Sequence, residues 1–423
     1  MGTLVGIAVC VGNKRAVATV PTEVEPTGIM TFADPAMQAL CAKTWGDGTN
    51  ITYEQARAVT EIPKNWAKDN TTITSFNEIK YFKNLVYIRE RAFTNCSNLV
   101  INEISLPNLL SIELSAFANC TALGCELLNL PSCETLGTTV FYNSSIKRVV
   151  MPKLKTIADS YKDYGCFQKI PNLEIVTLRD IEYIGDYSFK DATKLVLDSI
   201  EYPNLTRIGI GAFANCTFKL NKAILPNCKK IDKYAFLNCT SMNADINLPL
   251  LTSVGVRAFH NSGIVKITSL GSVTSLPDGD WTGSVYAGVF HGCTQLKTVI
   301  LPDSLKTIGI GSFARCSSLT QINIPEGVKS LGQACFGRCS ALESIELPST
   351  VTAIGPSAFQ YCTGLIRVSI IAGTPPSLGS SAFANCPALT GIYVPDDSVE
   401  AYKTATNWSA YANIILPLSQ FNG

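Results

Sequence analysis

The chain carries little charge and favours neither sign. Of 423 residues, 34 are basic and 33 acidic, only 16% are charged, and the net charge is +1. That balance leaves no electrostatic footprint for nucleic acid and no polybasic face for an anionic membrane surface. No apolar run reaches the roughly 18 residues of a membrane-spanning helix, so the sequence predicts no membrane insertion. Histidine is scarce, with 2 residues, His260 and His291, and both follow a repeat phenylalanine, where they read as polar residues on a turn. No Cys-x2-Cys pair, no Gly-x-Ser-x-Gly elbow and no Gly-rich phosphate loop occurs, which argues against zinc, serine-nucleophile and nucleotide chemistry. No catalytic residue, metal or cofactor is expected. A solvated pair such as Glu343 and Glu346 reads as charged strand surface rather than a glycosidase dyad.

What the sequence has instead is apolar residues, 46% of the total, and 16 cysteines. That is too apolar for a disordered chain. Near the start, Val5, Ile7, Val9 and Val11 alternate, Gly12 to Arg15 reads as a turn, and Ala16 to Val20 as a return strand. This is the pattern of a β-hairpin. A signal-peptide core over Leu4 to Gly12 is the competing reading, although no basic stretch precedes it and no small-x-small cleavage site clearly follows.

Internal repetition dominates the rest. Phenylalanine recurs at 93, 117, 141, 167, 189, 213, 236, 259, 290, 313, 336, 359 and 383, at spacings of 22 to 26 residues with one of 31. From Phe313 the order is Cys316, Leu319, Ile322, Ile324, Pro325, Val328, Leu331, Gly332 and then Phe336, and it repeats from Phe336 to Phe359. Ile322 and Ile324 alternate with Asn323, so they predict a short strand with one buried face. Pro325 ends it, because proline cannot donate to a ladder. Val328 and Leu331 face inward from a second extended segment. Gly332 permits a corner, and the segment through Phe336 and Cys339 turns helically into the core. One such coil cannot bury its apolar face alone, but stacked coils can.

This pattern resembles the BspA-type leucine-rich-repeat family over residues 89 to 395, about three quarters of the chain. The resemblance implies an α/β repeat: a right-handed leucine-rich-repeat solenoid of about 13 coils, each with one short parallel-ladder strand and a short helical turn. It also implies a surface or secreted adhesion protein, with a protein or glycan as its ligand. The expected organisation is an N-terminal hairpin or tail over 1–28, a helical cap over 29–88, the solenoid over 89–395 and a C-terminal cap over 396–423. Caps are expected because a terminal coil otherwise exposes its core. At the N-terminal end, Phe32 to Cys41 and Tyr53 to Val59 read as helices around a loop in which Asp47, Asn50 and Glu54 are candidate calcium ligands. Three oxygens are few for calcium, so a metal-free cap is the simpler reading. At the C-terminal end, Asp397 or Ser398 is expected to cap a short helix through Tyr402, with Trp408 and Tyr411 covering the last coil.

Nine cysteines share one repeat position: 96, 120, 216, 239, 293, 316, 339, 362 and 386. Equivalent side chains on stacked coils are spaced like strands, which is long for a disulfide, so a ladder of buried free thiols is expected. Between the buried strand positions runs an exposed column: Ser105, Asn129, Val150, Thr177, Glu201, Ile224, Asn247, Ile300, Asn323, Glu346, Ser369 and Tyr393. It is either a recognition face or merely a solvated one. Two insertions break the period, Tyr161 to Gly165 with Tyr164, and Asp278 to Tyr286 with Asp280 and Trp281. Insertions in a repeat map to protruding loops, often on the binding side. The candidate ligand-binding residues are therefore Trp281, Tyr286, Asp278, Asp280, Tyr161, Tyr164, Asn323, Glu346 and Tyr393. A structural virion or appendage component docked by the N-terminal hairpin is the alternative function.

Overall fold

The computed structural model describes residues 25–160, 162–196, 200–217, 222–283 and 285–421. The N-terminal hairpin reading, Cys10 and Tyr161 lie outside the described residues. The chain winds into a parallel-strand β-solenoid of about 14 turns. Two ladders run along it rather than one. The first consists of two-residue strands, nine from Glu61–Ile62 to Ser253–Val254, continued by five from Ser275–Leu276 to Ser377–Leu378. Its pairings are parallel and in register, as in Tyr87↔Ser111 and Ile88↔Ile112. These are the inward-facing Val/Ile/Leu positions of the second extended segment, with the second residue of each strand buried.

The second ladder is the expected one. Four strands run from Glu103–Ser105 to Ile175–Thr177, six from Ile200–Glu201 to Gln321–Ile322 and four from Ser344–Leu347 to Ile415–Pro417. Its register matches the column read from the sequence: Ser105↔Asn129, Asn129↔Val150 and Glu346↔Ser369↔Tyr393. A bulge follows Ile246, where Asn247 pairs with Ser269.

The expected helical turn in each coil is corrected by the structure. The described residues hold three α-helices, Pro35–Trp45, Tyr53–Ala58 and Val399–Thr404, all outside the repeats. In the coils the Phe–Cys segment is a run of turns whose N–H groups alternate in direction. Cys96 N donates to Phe93 O at 3.1 Å within the coil. Phe93 N and Asn95 N instead donate to Ala116 O and Ala118 O of the next coil, at 2.8 and 2.9 Å. An α-helix would spend those donors internally and leave the coils unlinked. The alternation goes with left-handed backbone two residues after each phenylalanine and, in all coils but those of Phe167 and Phe290, two residues before it. The first of these positions holds Asn95, Asn119, Asn143, Asn215, Asn238, Asn261 and Asn385, with φ between 53° and 62°. Asparagine tolerates that region better than other side-chain-bearing residues. The asparagines also bond to one another: Asn119 Nδ2 donates to Asn95 Oδ1 at 2.9 Å, Asn143 to Asn119 at 3.0 Å, and Asn238 to Asn215 at 3.0 Å.

The interior is one continuous apolar column. The thirteen phenylalanines stack face to face from Phe93 to Phe383, with centroids 4.9 to 5.5 Å apart. The described cysteines are free thiols, all buried except the half-buried Cys386. Beyond the first coil the ladder thiols donate to the phenylalanine carbonyl one coil back, as Cys316 Sγ to Phe290 O and Cys339 Sγ to Phe313 O, both 3.2 Å. That carbonyl already accepts from its own coil, since Cys293 N donates to Phe290 O at 3.1 Å. The thiol uses the second lone pair, so the slot wants a small apolar residue with one donor.

At the N-terminal end Asp34 accepts from Ala36 N and Met37 N at the start of its helix, and from Ser75 N in the first coil at 3.1 Å. Burial raises its pKa, but the backbone donors outweigh that and hold it below the ordinary value. Trp66 and Phe76 then close on Phe93. The Asp47 carboxylate accepts from Thr49 N and Asn50 N, and Glu54 pairs with Arg57, so two of the three candidate calcium ligands are engaged in the local turn and helix. At the other end Trp408 is fully buried against Phe383, with its Nε1 donating to Pro376 O at 2.7 Å. Ser398 does not cap the helix by its side chain; its hydroxyl donates to Gly373 O at 2.7 Å instead.

Candidate functional site

The 31-residue spacing folds as an antiparallel hairpin standing off the solenoid. Asp280 pairs with Ala287 and Trp281 with Tyr286, and Thr282 N and Oγ1 both donate to Val285 O to close the turn. The base is fixed to neighbouring coils on both sides. Asp278 Oδ1 accepts from Ile310 N at 2.9 Å, Gly279 N donates to Ile310 O at 2.9 Å, and Tyr234 Oη donates to Asp280 Oδ2 at 2.6 Å. The latter contact, then burial, raises the Tyr234 pKa. The two carboxylates expected to assist ligand binding thus each hold one bond at the base of the hairpin. Trp281 and Tyr286 pack edge to face at 5.1 Å and stay exposed, at 59% and 37%.

Under this hairpin lies a groove of about 270 Å³, running across the coils of Phe290, Phe313, Phe336 and Phe359. Its floor is small: Ala314, Ala334, Gly337 and Ser357. Its rim carries Arg315, Arg338 and Tyr361, with the Arg338 guanidinium 4.4 Å over the Tyr361 ring. Gln333 and Gln360 add amides. His291 lines one end; it is 5% exposed and stacks at 4.9 Å on His260, also buried. Burial, then Arg315 and Arg257, push the His291 pKa down to about 4; burial, then His291 and Arg257, push His260 down to about 3. Both imidazoles are neutral at pH 7. Sequence reasoning assigns them as polar residues on the coil turn and misses the stack.

The other expected site residues are elsewhere. Tyr164 packs edge to face on Tyr142 at 4.8 Å, far along the chain from the hairpin. Asn323 is exposed on the second ladder but its amide is engaged: it accepts from Leu301 N at 2.7 Å and donates to Leu301 O at 3.2 Å. Glu346 is exposed. Ser369, expected to be exposed, is 5% exposed. Its neighbour Tyr393 is half-buried against Phe421 at 5.0 Å, because the C-terminal segment lies over this end of the ladder. The structure therefore joins Trp281, Tyr286, Asp278 and Asp280 in one place and leaves Tyr164, Asn323, Glu346 and Tyr393 apart. The residues that reasoning from sequence misses, Arg315, Arg338 and Tyr361, carry a visible signal. They occupy the asparagine slot, two residues after the phenylalanine, in three consecutive coils.

Among the described residues no group of three His, Cys, Asp or Glu side chains is placed to hold a metal ion, and no helix is long and apolar enough to cross a membrane.

The architecture is that of a leucine-rich-repeat scaffold. The chain belongs to the BspA type leucine rich repeat region family, which matches residues 70–162, 161–282 and 283–410 in 6 copies. Among solved structures it is similar to a leucine-rich repeat protein from Bacteroides ovatus, at 21% identity over 85% of this chain and 88% of that one, with a TM-score of 0.54. It also matches a leucine rich cell surface protein from Faecalibacterium prausnitzii, at 22% identity over 74% of this chain and 90% of that one, with a TM-score of 0.41. A third match is a leucine-rich repeat protein from Eubacterium ventriosum, at 18% identity over 77% and 88% of the two chains, with a TM-score of 0.37. No curated protein matches the chain.

Proposed function

We propose that this protein is a non-catalytic binding or adhesion module, displayed at a cell surface or secreted, that takes a protein or glycan ligand in the groove beneath the Trp281–Tyr286 hairpin. The observation that carries this reading is the hairpin itself. It is the largest break in the repeat, it is anchored on both sides by Asp278 and Asp280, and it holds two aromatic rings exposed over a groove. A rigid exposed aromatic pair is the kind of group that anchors recognition at low entropic cost. The family supports an interaction or adhesion scaffold, and the terminal helices, with Trp66 and Trp408 on the outermost phenylalanines, act as caps in this reading.

The test is a binding screen of the full chain on glycan and extracellular-protein arrays, repeated with a Trp281→Ala/Tyr286→Ala double variant. Ligands of the groove lose about tenfold or more in affinity on loss of both rings. Hits that bind the double variant as tightly as the natural chain would remove the groove from the function.

A further inference from the structure

We infer that the groove is a subsite for an acidic sugar, a pyranose ring bearing a carboxylate; this rests on the reading of the groove as the binding surface. The first ground is where the repeat rule is broken. The slot after each phenylalanine is left-handed, with φ of 63° at Arg315, 65° at Arg338 and 62° at Tyr361. Seven of the thirteen coils place asparagine there, where it suits the backbone and joins an amide ladder; Lys169, Asp191 and Gly292 also depart from it, away from a run of large side chains. Left-handed backbone is common to the coils, so what sets these positions apart is the side chain: arginine and tyrosine have neither advantage there. These three large side chains are on consecutive coils, and all three line the groove.

The second ground is charge. Neither Arg315 nor Arg338 is paired with a carboxylate among the described residues, while the nearby Asp278 and Asp280 are held by Ile310 and Tyr234. Stacking on Tyr361 orients Arg338. Equivalent atoms on adjacent coils sit ~4.8 Å apart, so two guanidiniums on consecutive coils can flank one carboxylate. His291 is neutral and adds no charge, and its buried Nδ1 has no protein partner.

The third ground is shape and backbone. Ala334 and Ser357 fill the other left-handed slot, where the coils just before the hairpin carry the bulkier Tyr234 and Arg257, so the floor is lowered beneath the two rings. The coil N–H groups here already donate to the next coil: Arg315 to Gly337, Arg338 to Gln360 and Tyr361 to Ala384. These donors are not open to an extended peptide, so recognition falls to side chains. An aromatic face for the C–H face of a pyranose, amides for its hydroxyls and paired guanidiniums for its carboxylate fit a sugar acid.

Isothermal titration calorimetry on the full chain tests this with tri-galacturonate, its neutral methyl ester and hexaglutamate, and with a glucuronate disaccharide and sialyl-lactose as further sugar acids. At least one sugar acid is expected to bind, with about tenfold or greater loss for its neutral ester, for Arg315→Gln and for Arg338→Gln. Arg338→Asn should also lose binding while unfolding at a higher temperature than the natural chain, which separates lost recognition from lost folding. Equal affinity for acid and ester, stronger binding of hexaglutamate, or no binding of any sugar acid overturns the inference. If array ligands that are neutral or proteinaceous still depend on Trp281, the groove remains a binding site and only its assignment to acidic sugars falls.

Discussion

The asparagine column offers a direct test of how the coils are joined. Asn238 has φ of 57°, donates to Asn215 at 3.0 Å and accepts from Asn261 at 3.2 Å. Replacing it with alanine does two things. It loses asparagine's tolerance of left-handed backbone, which costs about 0.5–1 kcal/mol, part of the penalty an ordinary β-carbon carries there. It also deletes two surface amide bonds, each about 0.5 kcal/mol at this exposure. The expected loss is about 1.5–2 kcal/mol. Glycine deletes the same bonds but removes the steric term, so Asn238→Gly should cost only about 1 kcal/mol. Equilibrium urea unfolding of the full chain, followed by circular dichroism, resolves the two variants. In a helix glycine is worse than alanine, so the order here is the informative quantity. Glycine as damaging as alanine, or more so, would refute the claim that left-handed turns link the coils.

Phe313→Ala, in the middle of the stack between Phe290 and Phe336, should cost about 3–5 kcal/mol in urea unfolding, and Phe313→Leu distinctly less. Burial raises the ladder thiols' pKa, so among the described cysteines a thiol reagent at pH 8 should label only half-buried Cys386 readily in the native chain and the others after unfolding, as read by peptide mass mapping. His260 and His291 have folded pKa values below their ordinary one; the unfolded chain therefore takes up protons first, and stability is present above about pH 6.5 and lost as pH falls through about 4 for His291 and about 3 for His260. The slope is up to about 1.4 kcal/mol per pH unit for each imidazole, and a His260→Gln/His291→Gln variant should flatten it. Trp408→Ala, which strips the ring from Phe383, should lower the unfolding midpoint and promote self-association measurable by light scattering.

The solenoid is legible in the sequence because its signal is redundant. Thirteen phenylalanines at near-constant spacing predict one stacked column, and the column read along the strands is in register as expected. The first ladder is harder to see because its strands are two residues long, as in Ser330–Leu331, too short for alternation to distinguish strand from coil. The turn segment reads as helical for a physical reason. The i, i+3 spacing of Phe313 and Cys316 suits a helix, but the alternate N–H groups are claimed by the next coil, an interaction between distant residues. The half-burial of Tyr393 is the same kind of long-range fact, since Phe421, which packs on it, comes well after it in the chain. At the site, the hairpin is visible as an insertion, whereas the use of Asp278 and Asp280 as anchors depends on Ile310 and Tyr234, 32 and 46 residues away.

The way a solenoid is stabilised shows how the proposed site can take this form. Each coil contacts only its neighbours, so a weak coil reduces stability locally and is supported from both sides. Less suited residues in three consecutive coils can therefore be carried by a long array that would burden a compact domain. Here the cost falls in coils whose interior stays regular: Phe313, Phe336 and Phe359 remain stacked at 5.3 to 5.5 Å, and Cys316, Cys339 and Cys362 keep their bonds to the preceding carbonyl. Only the outward slots change, from asparagine to Arg315, Arg338 and Tyr361. The interior thus acts as a fixed frame, and the columns that face solvent are free to vary around it. For a chain of this architecture, the positions where an outward column departs from its own majority residue carry more information about function than the core pattern that reveals the fold.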